Sequence, residues 1–367
     1  MPADRSAGIL RRVAHATSGS GATSVAPDRG RALNQRRLTL LAVAIALLSA
    51  LFFTCTYVLN RAAATGGGHW AWTAALRYLI TLPLLLPLMR WQGGIGPVWR
   101  AIRAHPWPWL GWSTVGFVLF YLTLSYAAAS GPSWLVAGTF QLTVIAGMLC
   151  APFLYRDERA RIPLPALAAG LVVIAGVLLM QFGVGGGALD RAGWIALACV
   201  AFSAVAYPLG NRGLLLHLER VADEPGAVEL NATQRVFGLT LASQPAWWLV
   251  TVYAGFQAGP PPLQQVWLAG GVALGAGVIA TVLFFQATGM VRNDPTALAA
   301  TEAMQAAEIL FATLLGVLLL GETWPQGRAL GGAGVVMAGI VVFSGIAARK
   351  AAGNPRATRD LRSERGG

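Results

Sequence analysis

The stretch that decides the fold is LTLLAVAIALLSALFFTCTYVLN, residues 38–60, which contains 23 residues and no charged side chain. A helix needs about 20 apolar residues to cross the hydrocarbon core of a bilayer. An uncharged run of this length therefore predicts a membrane-spanning helix.

Nine further apolar runs of similar length follow along the chain. With the first, their predicted limits are 38–60, 69–91, 107–130, 132–155, 163–183, 191–211, 232–255, 264–289, 295–320 and 325–347. Lipid offers no hydrogen-bond partner to a backbone amide, so each run must be helical. The sequence thus predicts an all-α integral membrane protein with ten transmembrane helices.

The composition excludes other classes of protein. Of the 367 residues, 56% are hydrophobic and 11% are charged, whereas soluble domains are about 25% charged. The sequence contains no HExxH, GxSxG or phosphate-binding loop motif and no metal-ligand spacing of Cys and His. We therefore expect no enzyme, no catalytic residue, no metal and no cofactor.

The Lys and Arg residues predict the orientation in the membrane. With the N-terminus inside, 22 of the 27 lie in the tails and inner loops, Arg212 among them, and three lie in outer loops. This bias predicts a multi-pass protein of the plasma membrane with both termini cytoplasmic. It also explains the net charge of +12 without a nucleic-acid partner.

The two halves of the chain resemble each other in order. Two similar segments end the first and sixth runs, YVLNR (57–61) and YPLGNR (207–212). Arg77 and Arg235 occupy equivalent places in the second and seventh runs. Five spans is an odd number, so the second half must enter the membrane from the opposite side. Such inverted repeats are typical of transporters, with the substrate site between the halves.

The predicted domains follow from this repeat. The first five-helix repeat covers 38–183 and the second covers 190–347. Basic tails at 1–37 and 348–367 are expected to be disordered and cytoplasmic.

Four charged residues lie within the predicted spans: Arg77, Arg235, Glu302 and Glu308. Charges in a bilayer are costly and usually functional. On one continuous helix, Glu302, Gln305 and Glu308 would cover an arc of roughly 120°. The alternative is that the glutamates only pair with Arg235 and Arg77, and Arg235 could also reach the membrane interface.

Other polar and aromatic residues have two interpretations each. Gln141 is the repeat partner of Gln305 but could simply bond across helices. Pro208 and Pro245 are candidate hinges or tolerated kinks. Asn60 and Asn211 are assigned to helix capping. Three aromatic residues could line a cavity or only pack between helices, namely Phe120, Tyr121 and Phe140.

Several long stretches resemble the putative multidrug resistance efflux transporter family, a ten-helix branch of the drug/metabolite transporter (DMT) superfamily. They are GGHWAWTAALRY (67–78), WLVAGTFQLTVIAG (134–147), QRVFGLTLASQPAW (234–247), ATEAMQAAEILF (300–311) and three shorter ones at 112–121, 207–212 and 279–288. The resemblance extends over roughly residues 38–347. The family pattern has Thr-Gln where this chain has Met304-Gln305.

The resemblance implies two inverted five-helix repeats and an exporter of the plasma membrane. It places six residues in the polar membrane motifs of the family: Arg77, Gln141, Arg235, Glu302, Gln305 and Glu308. The implied partners are a small-molecule substrate, the proton and the lipid bilayer, and two chains could pair as a homodimer.

Three functions are weighed. The leading one is a secondary efflux carrier that exchanges organic cations for protons, with Glu308 as the proton-linked residue and Arg77 as a counter-ion. The second is an exporter of an amino acid or another anion, which Arg77 and Arg235 would bind. The third is a membrane receptor or assembly partner without transport.

Overall fold

The computed structural model describes residues 29–156, 160, 162, 164–183 and 189–352. Of the predicted tails 1–37 and 348–367, residues 1–28 and 353–367 lie outside the described residues, while 29–37 and 348–352 are helical. The chain divides into two compact units, Met1–Arg37 and Leu38–Gly367. In the first unit, residues 29–37 are helical. The second unit contains the helices that position the candidate site.

All regular structure in the described part of the first half is helical. Its α-helices are α1 (Arg29–Phe53), α2 (Cys55–Thr65), α3 (Trp70–Trp91), α4 (Gly96–Ala104), α5 (Pro106–Ser113), α6 (Phe120–Ala127), α7 (Ser133–Phe140), α8 (Leu142–Leu149), α9 (Ala151–Leu154) and α10 (Leu164–Phe182). The first helix begins at Arg29, before the predicted limit at residue 38.

The described part of the second half is equally helical. Its α-helices are α11 (Arg191–Arg220), α12 (Ala232–Ala242), α13 (Gln244–Ala258), α14 (Leu263–Val272), α15 (Thr281–Met290), α16 (Pro295–Ala303), α17 (Ala307–Leu320) and α18 (Gly327–Ala352).

Within the described residues, eight helical segments are long and apolar enough to cross a bilayer, by length and composition. They are Arg37–Thr65, Trp70–Trp91, Pro106–Ala127, Leu164–Phe182, Arg191–Arg220, Leu263–Met290, Thr296–Leu320 and Gly327–Ile346. The run predicted at 132–155 contains the shorter apolar helix Ser133–Leu149, and the run at 232–255 is divided into α12 and α13. The count of ten crossings therefore stays a prediction.

The sixth helix is longer than predicted. α11 continues to Arg220, so Arg212 lies inside a helix and not in the loop that the sequence suggested. The stretch GLLLHLER (213–220) remains compatible with a helix, and His217 and Arg220 in its last turn suit the negative end of the helix dipole.

The predicted fourth and ninth runs are both interrupted near their centres. Gln141 lies between α7 and α8, and a single 3₁₀ turn, Met304–Ala306, separates α16 from α17. A 3₁₀ turn rotates successive side chains differently from an α-helix. The expected single arc of Glu302, Gln305 and Glu308 assumed one continuous helix and is wrong in this respect.

The predicted third and eighth runs share another irregularity. Each contains a π-helical stretch, Thr114–Leu119 between α5 and α6 and Ala273–Ala280 between α14 and α15. Such wide turns inside α-helices are rare and frequently lie at functional sites.

Contacts between the two halves form the bundle. α10 packs against α18, α3 packs against α13, and α7 packs against α17. α11 packs against α6 and α8, while α2 packs against α14 and α17. α3 also contacts α14, and α12 contacts α5.

Small residues allow two of these helix pairs to approach closely. A Cβ atom added at Gly210 in α11 would collide with backbone atoms of Gly116 in the π-helical stretch after α5. A Cβ atom at Gly275 would lie 3.0 Å from the sulfur of Cys55 in α2. Glycine at such positions lets two backbones meet, which is a common basis of helix packing in membranes.

We predict that Gly210→Ala destabilises the protein by about 1–3 kcal/mol, because the added methyl group must separate α11 from the third helix. Gly289→Ala is the matched control, since a Cβ atom there meets no atom within 4 Å. That control should gain up to about 1 kcal/mol from helix propensity. Unfolding of both variants in detergent measures the difference, and a Gly210→Ala protein as stable as the control would contradict the close contact.

Candidate functional site

The carboxylate of Glu308 lies at the contact of the first and ninth helices. Glu308 is in the first turn of α17 and is 7% exposed. The hydroxyl of Tyr57 in α2 donates a hydrogen bond of 2.8 Å to its Oε2 atom. The two residues are 251 positions apart in the chain, so this bond joins the two halves of the protein.

Four aromatic rings lie next to this bond, and we call them the four-ring cluster: Tyr57, Phe120, Phe140 and Tyr207. Phe140 lies 6.3 Å from Tyr57 and 5.6 Å from Phe120, and Phe120 lies 5.0 Å from Tyr207. The cluster is built from α2, α6, α7 and α11. Tyr207 is 40% exposed, so the cluster is not fully enclosed by the bundle.

Arg77 lies beside the four-ring cluster, in α3. Its guanidinium carbon is 4.0 Å from the ring centroid of Tyr121 and 5.0 Å from that of Tyr78. Both Tyr57 and Tyr207 are close enough to interact electrostatically with Arg77 and also with Glu308. The two charged residues therefore face the same aromatic region.

Asn60 has a different role from the helix capping that the sequence suggested. It is 2% exposed, and its Oδ1 atom accepts a hydrogen bond of 3.0 Å from the Tyr121 hydroxyl. Asn60 thereby fixes the ring that covers Arg77. Asn211 lies inside α11, where its Nδ2 atom donates to the carbonyl of Tyr207 at 2.8 Å.

The two interrupted helices meet at their breaks. The Nε2 atom of Gln141 donates a long hydrogen bond of 3.5 Å to the backbone carbonyl of Gln305. Gln141 is 3% exposed and Gln305 is half-buried. The predicted repeat partners are thus in contact, through the side chain of one and the backbone of the other.

Glu302 lies in a different environment from Glu308. Its side chain is exposed, and it interacts electrostatically with Arg212 of α11. Arg212 also donates from Nη1 to the carbonyl of Gly147 in α8. The two glutamates that the sequence grouped together therefore have separate partners.

Arg235 and the two prolines lie at other points of the bundle. Arg235 is half-buried near the start of α12, and its Nη1 atom donates to the carbonyl of Leu230 at 2.8 Å. α11 continues through Pro208. Pro245 lies in the first turn of α13, directly after the break at Ser243.

The alternative that the buried charges only neutralise each other finds no support in the described geometry. Among the described residues, neither Arg77 nor Arg235 forms an ion pair with Glu302 or Glu308; the ion pairs found are Arg61–Glu322 and His105–Glu224. Glu308 is bonded to a tyrosine and Arg77 is covered by tyrosine rings.

A second polar contact between the halves lies at the start of α7. Both carboxylate oxygens of Glu322, in the loop between α17 and α18, accept from the backbone amide of Ser133 at 2.9 and 3.0 Å. The Ser133 hydroxyl donates to the same carboxylate at 2.9 Å. Arg61 lies 3.8 Å from it and also donates to the carbonyl of Ala129 at 2.8 Å.

A cavity of about 360 Å³ lies near this contact, between α7, α10 and α11. Its lining includes Thr139, Gln181 and Asp190. Gln181 donates to the Thr139 hydroxyl at 2.8 Å, and Asp190 caps α11 by accepting from the amide of Gly193. The residues predicted for the site are not part of this lining.

Tyr57 and Tyr207 are the site residues that the sequence did not single out. Each is the first residue of a segment of the internal repeat, YVLNR and YPLGNR. This equivalence in the sequence could have pointed to both tyrosines, because substrate sites of inverted-repeat proteins lie at the interface between the repeats. In the described ranges no group of three His, Cys, Asp or Glu side chains could hold a metal ion.

Comparison with known proteins places the whole bundle in one family. The family model described as "EmrE: Putative multidrug resistance efflux transporter" matches residues 40–349. An "Uncharacterized protein YjlA" of Bacillus subtilis (strain 168) is 38% identical over 312 residues, covering 83% of this chain and 94% of that protein.

Two further matches agree with this. An "Uncharacterized 42.1 kDa protein in intracellular alkaline protease 3'region" of Shouchella clausii is 36% identical over 291 residues, covering 77% of this chain and 73% of that protein. A solved structure described as "Crystal structure of protein" has a TM-score of 0.55 at 20% identity, covering 84% of this chain and 98% of that one. The latter shows similarity of fold alone.

The match covers nearly all of the helical bundle, and the proteins of this family are membrane transporters and not enzymes. The resemblance seen in the sequence is confirmed: the chain belongs to the putative multidrug resistance efflux transporter family of the DMT superfamily.

Proposed function

We propose that the chain is a secondary active carrier that exports small organic compounds across the plasma membrane in exchange for protons, by alternating access. The observation that carries the proposal is the hydrogen bond between Tyr57 and Glu308. It joins a buried carboxylate of one half to the other half, without a cationic partner among the described residues.

A carboxyl group in an apolar surrounding is stable when it holds a proton or contacts a cation. Glu308 has the Tyr57 hydroxyl as its donor and aromatic rings nearby. It can therefore bind a proton on one side of the membrane and release it on the other. Gln141 and Gln305 lie at the breaks of the crossing helices, where backbone groups are available to a ligand.

The helix contacts support two inverted five-helix repeats, 38–183 and 190–347. An exchange of the first helix with the sixth and of the third with the eighth turns the contact of α11 with α5 into that of α2 with α14. The same exchange, with the fourth helix for the ninth, relates α11–α8 to α2–α17. All four contacts are present.

Irregular segments fall in equivalent places as well. The π-helical stretches lie in the third and eighth helices, and the breaks lie in the fourth and ninth. The close approaches of Gly210 to Gly116 and of Gly275 to Cys55 also lie between helices that this operation exchanges. Two halves of equal construction can swap conformations, which is the basis of alternating access.

Two other functions were considered from the sequence. An exporter of an amino acid or another anion keeps the carrier mechanism but changes the cargo, and the surroundings of Arg77 bear on that choice. A receptor or assembly partner would need neither a buried proton-binding group nor the matched helix breaks. A homodimer is compatible with the carrier but is not needed by it.

We predict that Glu308→Gln reduces proton-coupled flux to the level of empty vesicles, because glutamine cannot bind and release a proton. The measurement is the change in internal pH of proteoliposomes under an imposed pH gradient. Benzyltrimethylammonium and benzenesulfonate serve as cationic and anionic probes that do not cross lipid unaided.

Glu229→Gln is the matched control, since Glu229 is exposed in the described structure and lies outside the apolar helices. It should retain wild-type flux. If Glu308→Gln carries either probe as fast as the wild type does, Glu308 is not the proton-linked residue.

We also predict that the loop after α11 is cytoplasmic and that the end of α13 is extracellular. The test uses the full chain with Cys55, Cys150 and Cys199 replaced by serine. In it, a single cysteine replaces either Ala222 or Gln257, both of which are exposed.

A membrane-impermeant maleimide added to intact cells should label the Gln257→Cys protein. The Ala222→Cys protein should react only after the cells are permeabilised. The reverse pattern would overturn the proposed orientation, and labelling of both from outside would overturn the odd number of spans between them.

A further inference from the structure

We propose that the cargo carries an anionic group, a carboxylate or sulfonate, and that Arg77 binds this group beside the four-ring cluster. The inference rests on the proposed carrier function and names the chemical class of its substrate. It departs from the cationic cargo that the sequence favoured.

The side chain of Arg77 is buried without the acceptors that it needs. It is 9% exposed, and its Nε and Nη1 atoms have no hydrogen-bond acceptor in the described part of the chain. A guanidinium carries five N–H donors and stays charged. An unsatisfied buried charge of this kind is costly, so its retention needs a reason.

The surrounding rings offer only part of the compensation. The faces of Tyr121 and Tyr78 attract the guanidinium at 4.0 and 5.0 Å through cation–π interaction. The Nε and Nη1 donors still have no acceptor in the described part of the chain. The Tyr121 hydroxyl donates its own proton to Asn60, which fixes the ring against Arg77.

The carboxylates of the described bundle have other partners. Glu308 accepts from Tyr57, Glu302 interacts with Arg212, and Glu322 accepts from Ser133. A planar guanidinium matches an oxyanion such as a carboxylate or sulfonate, because the two can form parallel charge-assisted hydrogen bonds. The group that completes Arg77 is therefore one that a ligand brings.

The position of Arg77 defines the rest of the ligand. Tyr57 and Tyr207 interact with both Arg77 and Glu308, so an anionic group at Arg77 places the remainder of the molecule against the four-ring cluster. Aromatic rings pack against apolar or aromatic groups. The cargo that matches this site is an organic acid with an apolar or aromatic body. An additional ammonium group on it would contact the Glu308 carboxylate and the faces of the aromatic rings.

The experiment measures ligand-induced thermal stabilisation of the full chain in detergent. Formate, benzoate and benzenesulfonate are the anionic probes, and phenylalanine is the zwitterionic one. Benzyltrimethylammonium chloride at equal ionic strength controls for salt. A ligand that binds the folded protein raises its unfolding temperature, and the rise grows with the logarithm of the ratio of ligand concentration to Kd.

Benzoate and benzenesulfonate should raise the unfolding temperature of the wild type, and the cation should not. Arg77→Gln should weaken their apparent affinity by about tenfold or more, because one charge-assisted pair is lost. Arg77→Lys should keep part of the response. It also provides the test of Arg77 if the Arg77→Gln variant does not fold. Arg103→Gln is the matched control, since Arg103 is exposed near the end of α4, and it should respond as the wild type does.

A further readout concerns the protein without ligand. Because Arg77 is an incompletely paired buried cation, Arg77→Gln should unfold at a higher temperature than the wild type in buffer free of carboxylates. A purely structural Arg77 would give the opposite sign.

A wild type that responds to none of the three anions overturns the proposal, as does an Arg77→Gln variant that responds equally. Stabilisation by phenylalanine but not by benzoate would restrict the class to zwitterions. Binding is read without flux, so a protein that binds benzoate through Arg77 but carries no protons keeps this inference and loses the carrier. Proton-coupled flux of the cationic probe that depends on Glu308 and not on Arg77 would keep the carrier and contradict this inference.

Discussion

An ionisable side chain inside an apolar bundle must be compensated, and the architecture around Glu308 follows from that requirement. The carboxylate of α17 has its donor in α2, at the other end of the sequence. Bringing the two together requires the first and ninth helices to be in contact, with the sixth helix supplying Tyr207 near them. Helices that only needed to bury apolar area against lipid and each other would have no such constraint, because apolar contacts are not directional.

The helices were predictable because their signal is local and strong. An uncharged run of about 20 residues has few alternatives in a chain of this composition, and the described structure is helical in each predicted range. The buried charges Glu308 and Arg77 were also visible, since charged residues are rare in such runs. The repeat pointed to the equivalence of the fourth and ninth helices, which contain Gln141 and Gln305.

The partners of these residues were not predictable, because hydroxyl groups of tyrosine carry no distinctive pattern in an aromatic-rich sequence. Tyr57 and Asn60 act through contacts with residues far away in the chain, and only the fold brings those together. Glu302 and Glu308 were grouped by an assumption of uniform helix geometry, which the turn at Met304–Ala306 breaks. Arg212 was expected in a loop because its charge was taken to end the apolar run, although the residues that follow it are compatible with a helix.

The carboxylate of Glu322 joins several segments at one point. It receives the amide and hydroxyl of Ser133 at the start of α7 and lies against Arg61, which in turn bonds the carbonyl at the end of the third helix. These bonds cannot be broken one by one without leaving a charged group short of donors, so separation at this end of the bundle is costly until all of them are lost together. In the carrier that we propose, such a latch would turn a gradual tilt of helices into a switch between two discrete arrangements.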